Sequence, residues 1–242
     1  MTVAGPAAAA PGPLFDPASD VDYQLGGVWD AVPARVGIVV RDRKAEPLAD
    51  RYNICYVNGF QTQPDERRFW REHRWRLVLK DAGRPVVDSA WGEWLLDIRT
   101  PARRQALARI VGRWTQRCAD DGYDAVEYDN LDSFSRSRGL ISRRHAKAFA
   151  RLLVRRAHDA GLPAGQKNWA GWDGSHLFDF AVAEECGRWR ECGRYAASYD
   201  DHVLAVEYRR RDFRRTCHQH AADWPVVLRN LALSPGGVHG WC

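Results

Sequence analysis

The 242 residues suffice for one barrel-sized domain or two small ones, and a composition of 45% hydrophobic, 11% aromatic and 28% charged residues excludes a disordered, collagenous or membrane-embedded chain. No run approaches the ~18 consecutive apolar residues of a spanning helix. The net charge of +5 raises nucleic acid as a partner. However, all but four of the 36 basic residues are arginines, many sit on the polar faces of two helix-patterned stretches, and no zinc-finger, helix-turn-helix or RNP signature accompanies them, so nucleic acid is set aside.

In chain order, residues 1–20 are rich in Ala, Pro and Gly and read as a disordered linker ahead of a domain over 21–242. Short β-branched or aromatic runs then predict strands at Tyr23–Gly27, Val36–Val40, Tyr52–Val57, Val86–Val87 with Leu95–Ile98, Ala125–Tyr128, Ala164–Lys167, Phe178–Ala183, Leu204–Tyr208 and Pro225–Leu228. Between them, Leu107, Ile110, Val111, Trp114 and Cys118 recur at helical spacing behind a Thr100 cap and Pro101. A second helix follows a Ser142 cap, with Phe149, Leu153 and Val154 on its apolar face and Gly161 as its stop. About eight apolar strands with helical crossovers predict an α/β fold with a parallel sheet, closed at this length into a single (β/α)8 TIM-type barrel. An open doubly wound sheet is disfavoured, because Gly26-Gly27 is no dinucleotide fingerprint.

The six cysteines lack zinc-site spacing, and no metal or cofactor is expected. The short gap from Cys186 to Cys192, and the bracketing of the last strand by Cys217 and Cys242, predict two disulfides, the larger loop contributing about 3 kcal/mol in the loop-entropy picture. Cys55 and Cys118, each in an apolar run, are expected reduced and buried.

In such a barrel the functional residues stand where strands end. The predicted ends deliver Glu127, Asp129, Asn130 and Asp132; Glu184 and Glu185; Glu207; Lys167 and Asn168; and Arg229 and Asn230. Asp132 and Glu185 read as ordinary solvent-facing carboxylates. Concentrated carboxylates, without a nucleophile elbow, an HExxH helix or a phosphate loop, point to glycosyl transfer. Tryptophans 70, 75, 91, 94, 169, 172 and 189, in or beside predicted loops, suit the flat faces of sugars, although ordinary packing accounts for most of the eleven.

The segments Asp22-Tyr23-Gln24-Leu25-Gly26, Trp94-Leu95-Leu96-Asp97-Ile98-Arg99, Gly122 to Asn130, Lys167-Asn168, Phe178-Asp179-Phe180-Ala181 leading to Glu184 and Cys186, Val206-Glu207-Tyr208 and Asn230-Leu231 together resemble, in order, the motifs of glycoside hydrolase family 114. The resemblance implies a (β/α)8-type barrel, a secreted or cell-surface protein whose leader is not in this chain, and hydrolysis of α-1,4-linked galactosamine polymers. The family's usual Glu-Pro-Asp-Asn reads Glu127-Tyr128-Asp129-Asn130 here, and Ala183 replaces an Asn, changes that bear on the polymer more than on the fold. A non-catalytic carbohydrate-binding barrel, or a hydrolase for another glycan, is the alternative.

Asp129 and Glu184 are the expected catalytic pair, Asp129 as nucleophile or base and Glu184 as general acid, its carboxyl desolvated beside Ala183. Asp22, Tyr23, Tyr56, Glu127, Asn130, Lys167, Asn168, Glu207 and Tyr208 are the expected substrate-binding residues, with a Lys167 salt bridge as the plainer role for Glu127. The expected partner is a cationic, galactosaminan-like polysaccharide bound by a monomer. A cationic polymer requires acidic residues at the strand ends and arginines on the helices.

Overall fold

Side chains along a strand point alternately to opposite faces, so apolar strands covered on both faces separate their residues into two layers. The computed structural model describes residues 10–242 and arranges eight such strands parallel in chain order: β1 (Asp20–Gln24), β2 (Val36–Asp42), β3 (Tyr52–Asn58), β4 (Ala125–Asp129), β5 (Ala164–Lys167), β6 (Phe180–Glu184), β7 (Val203–Glu207) and β8 (Val226–Arg229). A ninth, β9 (His239–Trp241), runs antiparallel beside β8. The inner layer includes Val21 and Tyr23, Ile38 and Val40, Ile54 and Tyr56, Phe180 and Val182, Leu204 and Val206, and Val227. Gly165 belongs there because a Cβ would lie 2.5 Å from the Phe180 ring.

The outer layer, which includes Cys55, Val57, Val126, Tyr128, Ala181, Ala183, Val203 and Ala205, packs against the helices. These are α1 (Arg67–His73), α2 (Pro101–Asp120), α3 (Arg143–Asp159), α4 (Cys186–Trp189), α5 (Cys192–Tyr199) and α6 (Arg210–His220). Thr100 caps α2 by accepting from the Arg103 amide at 3.3 Å, and Ser142 caps α3 in a capping box closed by His145. The barrel is the expected one, but its helical ring is partial. The connections β1–β2, β2–β3 and β5–β6 have only 9 to 12 residues and carry no α-helix, which is short for a helical crossover of a dozen or more residues.

The predicted strand through Val86–Val87 and Leu95–Ile98 is instead part of an excursion between β3 and β4. There Val87–Asp88 pairs with Glu93–Trp94 in a two-stranded ladder. Its apolar residues Leu79, Val86, Leu95 and Leu96 are buried under α1 and α2, which is why composition alone read them as a barrel strand.

The barrel closes between β8 and β1 through side chains. Arg229 and Asp22 are both fully buried, with Nη1 2.6 Å from Oδ1, and Arg229 also donates to the Tyr23 carbonyl and, from Nη2, to the Ser234 carbonyl at 3.0 Å. His239 of β9 reaches the same Asp22 oxygen at 3.1 Å, and Trp241 donates to the Val21 carbonyl at 2.8 Å. Asp22, expected to bind substrate, is therefore a seam residue, because its carboxylate is spent on this closure.

The predicted linker is corrected over its second half. Residues 1–9 lie outside the described residues, whereas 10–20 close the barrel floor: Gly12 donates to the Gly161 carbonyl at 2.9 Å, Tyr52 donates to the Pro13 carbonyl at 3.0 Å, and Phe15, 2% exposed, stands edge-on to Phe180. Three disulfides are formed. Cys186–Cys192 and Cys217–Cys242 are the pairs suggested by spacing, the second tying α6 to the tail beyond β9. Cys55–Cys118 corrects the expectation of two reduced thiols. Both residues do lie in the apolar outer layer, but Cys55 faces outward from β3 and Cys118 inward from α2, so burial brings the sulfurs together instead of isolating them.

Removing one partner of a buried ion pair strands the other charge. Asp22→Ala should lower the unfolding free energy by about 3–5 kcal/mol in equilibrium denaturation.

Candidate active site

Three strands end on a residue whose side chain enters the barrel mouth and whose successor turns the chain with a left-handed conformation: Asp129 then Asn130 (φ 65°), Lys167 then Asn168 (φ 54°), and Glu184 then Glu185 (φ 54°). Asparagine tolerates this region with little cost, whereas Glu185 and Trp169 (φ 60°) are held there by their surroundings. The turn stops each strand just after its functional side chain.

At the centre is the Lys167 ammonium, 1% exposed. It lies 3.2 Å from Glu184 Oε2 and 3.9 Å from Asp129 Oδ1, and donates to the Tyr23 hydroxyl at 2.7 Å. Burial works against this charge, but Asp129, Glu127 and Glu184 outweigh it and hold the ammonium above its ordinary range. Asp129 is fixed at both oxygens, by the Tyr56 hydroxyl at 2.7 Å and by the Asn130 amide at 2.7 Å. Glu184 accepts from Asn168 Nδ2 at 3.0 Å and from the Tyr208 hydroxyl. Burial first, and the adjacent carboxylates second, raise Tyr23, Tyr56 and Tyr208 well above the usual phenol range, so all three remain neutral donors. The two carboxylate oxygens facing Lys167 are at most about 7 Å apart, the sum of its two contacts, while retaining glycosidases separate their pair by about 5 to 5.5 Å and inverting ones by about 6.5 to 9.5 Å.

The mouth opens into a cleft of about 370 Å³. Its far wall comes from the excursion between β3 and β4. Glu93 accepts from Asn58 at 2.9 Å, and Arg136 joins Asp88 (2.9 Å) to Asp132 (2.8 Å). Burial pushes the Glu93 carboxyl up to about 7, with Asp129 and Asp88 adding to the rise and Asn58 and Arg136 opposing it. Trp91, 56% exposed, stands at the rim. Six carboxylates (Asp42, Asp88, Glu93, Asp129, Asp132 and Glu184) line the cleft against two cations, Lys167 and Arg136. The arginines of α2 and α3, such as Arg109, Arg113, Arg151 and Arg155, are exposed on the outer surface.

Asp129, Glu184, Tyr56, Asn130, Lys167, Asn168 and Tyr208 line one cleft. Four other expected binding residues do not. Asp22 is in the seam, and Tyr23 and Glu127 are fully buried beneath the mouth. Glu207 faces outward with Val203 and Ala205, because β7 alternates and it is Leu204, Val206 and Tyr208 that point in. Its carboxylate accepts from the Gly187 amide (2.7 Å) and Thr216 (2.9 Å), and burial raises its proton affinity. No direct Lys167–Glu127 salt bridge forms; the Tyr23 hydroxyl stands between them, donating to Glu127 Oε1. Ala183 faces the outer layer, so the groups around the Glu184 carboxyl are Lys167, Asn168 and Tyr208 instead.

Asp42, Asp88, Glu93 and Arg136 were missed by sequence reasoning. Asp42 was within reach of the strand-end rule, two residues past the predicted end of β2. Asp88 and Glu93 were hidden by the misread strand. Most of the tryptophans named above pack elsewhere: Trp70 and Trp94 are buried, and Trp169 and Trp172 pack against each other at a tilt beneath Lys147. Among the described residues, the one grouping of metal-ligand atom types is Cys186, Cys192 and Glu207, whose sulfurs are bonded to each other. No described helix is long and apolar enough to cross a membrane.

The sequence matches the family model of glycoside hydrolase family GH114 over residues 4–242. The fold is similar to that of Aspergillus fumigatus Ega3, solved in complex with galactosamine (20% identity, 97% of this chain and 99% of that chain, TM-score 0.78). It is also similar to the glycoside hydrolase domain of Pseudomonas aeruginosa PelA (16% identity, 91% and 98%, TM-score 0.61). An α-galactosidase from Thermus thermophilus shares the fold at 14% identity over 89% of this chain and 59% of that chain (TM-score 0.54). No curated protein matches the sequence.

Glu207 supports the α4–α6 packing and not the cleft, and losing it leaves the buried Gly187 amide unsatisfied, while the Thr216 hydroxyl keeps the Asp212 carbonyl at 3.1 Å. Glu207→Ala should cost about 1–3 kcal/mol in thermal or chemical denaturation, while turnover per folded molecule changes little.

Proposed function

The chain belongs to glycoside hydrolase family GH114, and on that footing we propose that it is an endo-acting hydrolase of α-1,4-linked galactosamine polymers. The carrying observation is that Asp129 and Glu184, from β4 and β6, face one buried ammonium in a cleft whose carboxylates outnumber its cations three to one. Such a lining attracts a cationic, partly de-acetylated polymer despite the net charge of +5. Galactosamine in the Ega3 complex is consistent with this substrate class.

In the proposed mechanism Asp129, held by Tyr56 and Asn130, attacks the anomeric carbon as Glu184 gives a proton to the departing glycosidic oxygen. The resulting glycosyl ester is cleaved by water, whose proton returns to Glu184 while Asp129 leaves as the carboxylate. Two displacements retain the anomeric configuration. The upper bound of about 7 Å on the facing oxygens admits the separation of about 5 to 5.5 Å that this double displacement uses. Lys167 touches both carboxylates and stabilises whichever one is ionised. The three disulfides suit an oxidising compartment, and we place the enzyme outside the cytosol.

Purified galactosaminan should yield new reducing ends with the wild-type protein. Asp129→Asn and Glu184→Gln should each lower turnover by about a hundredfold to ten-thousandfold while the melting temperature stays near wild type. Binding to the insoluble polymer without reducing-end release would favour a non-catalytic carbohydrate-binding barrel. Full N-acetylation of the polymer, or raised salt, should weaken binding by removing or screening the attraction; unchanged binding would instead indicate a neutral glycan. Azide added to Asp129→Ala should give the inverted glycosyl azide and added to Glu184→Ala the retained one, with the converse pattern exchanging the two roles.

A further inference from the structure

Glu127 is fully buried beneath Asp129 and Glu184 and absent from the cleft lining, so no sugar touches it. Its Oε1 accepts the Tyr23 hydroxyl proton, and its Oε2 has no partner. A phenol carries one proton. Because Tyr23 gives it to Glu127, the phenol oxygen presents only lone pairs to Lys167, which donates to it at 2.7 Å. One ammonium hydrogen is thereby committed, leaving two to face Glu184 at 3.2 Å and Asp129 at 3.9 Å. Were Glu127 to donate instead, the hydroxyl would turn toward Lys167 and the ammonium would lose this anchor.

We propose that Glu127 is a positioning residue that, acting through Tyr23, fixes the Lys167 ammonium between Asp129 and Glu184. This rests on the reading of Asp129 and Glu184 as the reacting pair. The charged and titratable groups around Glu127 are Tyr23 on β1, Tyr56 on β3, Asp129 on β4, Lys167 on β5 and Glu184 on β6, while β2, β7 and β8 contribute Val40, Val206 and Val227 to the same interior. Burial pushes the Glu127 carboxyl up to about 7, with Lys167 and Tyr23 opposing and Asp129 and Glu184 adding to the rise.

Glu127→Gln keeps the shape and the acceptor oxygen for Tyr23 but removes the charge. It should therefore keep kcat near wild type, whereas Glu127→Leu, which offers Tyr23 no acceptor, should lower kcat about tenfold with KM nearly unchanged. In parallel, nitrogen-15 NMR of the Lys167 ammonium, assigned with Lys167→Arg, should show its hydrogen exchange speeding up in Glu127→Leu and staying slow in Glu127→Gln. Equal losses of kcat in Glu127→Leu and Glu127→Gln, or a wild-type kcat in Glu127→Leu, would reduce Glu127 to a structural residue and overturn the proposal. Wild-type protein that leaves galactosaminan uncut while the Lys167 exchange still responds to Glu127→Leu would sink the proposed substrate and not the role of Glu127. Should the Leu variant not fold, Tyr23→Phe carries the test, with kcat falling about tenfold at near-constant KM as the ammonium loses its anchor; wild-type kcat would overturn the proposal.

Discussion

The mouth of the barrel depends on a seam made by side chains. β8 and β1 are joined by the buried Arg229–Asp22 pair, with His239 and Trp241 of β9 completing the join. A guanidinium suits this place because its several donors reach a carboxylate and backbone carbonyls at once, here Asp22, Tyr23 and Ser234. The functional side chains come from β1, β3, β4, β5 and β6 and converge only if the sheet curves back on itself. An open sheet would keep Asp129, Lys167 and Glu184 on neighbouring strands but would carry Tyr23 of β1 away from Lys167.

Closure in turn creates an electrostatic problem that the site solves locally. A buried ammonium is costly unless its partners are charged or hydrogen-bonded, and adjacent carboxylates repel one another. Lys167 with Glu127, Asp129 and Glu184 satisfies both conditions, because each carboxylate lowers the cost of the cation and the cation lowers the repulsion between the carboxylates. Neutral phenols complete the set without adding charge, Tyr23 below and Tyr56 and Tyr208 at the sides. The acidic cleft and the basic outer helices divide opposite charges between substrate-facing and solvent-facing surfaces, so the positive net charge says little about what the cleft binds.

All eight barrel strands, the two long helices and their caps were legible in the sequence because periodicity and capping are local. The catalytic candidates were legible for a related reason: Asp129, Lys167 and Glu184 end apolar runs, and a barrel gathers strand ends at one face. Glu207 also ends such a run, yet it points outward, since which parity of a strand faces inward depends on its neighbours in the closed sheet. Leu95 and Leu96 misled for a similar reason, because apolar content shows that a segment is buried without showing in which layer.

By itself, then, the sequence determined the class of fold, the order of its elements and the residues standing at strand ends, because these follow from short-range pattern. Only the tertiary structure decided that Asp22 closes the seam, that Tyr23 stands between Lys167 and Glu127, that Cys55 meets Cys118, and that Asp88 and Glu93 wall the cleft. These relations join residues from 63 to 207 positions apart, or depend on how an excursion folds over the mouth. Each is settled by the burial, parity and mutual satisfaction of polar groups once the barrel is closed, and none of these is written within one stretch of chain.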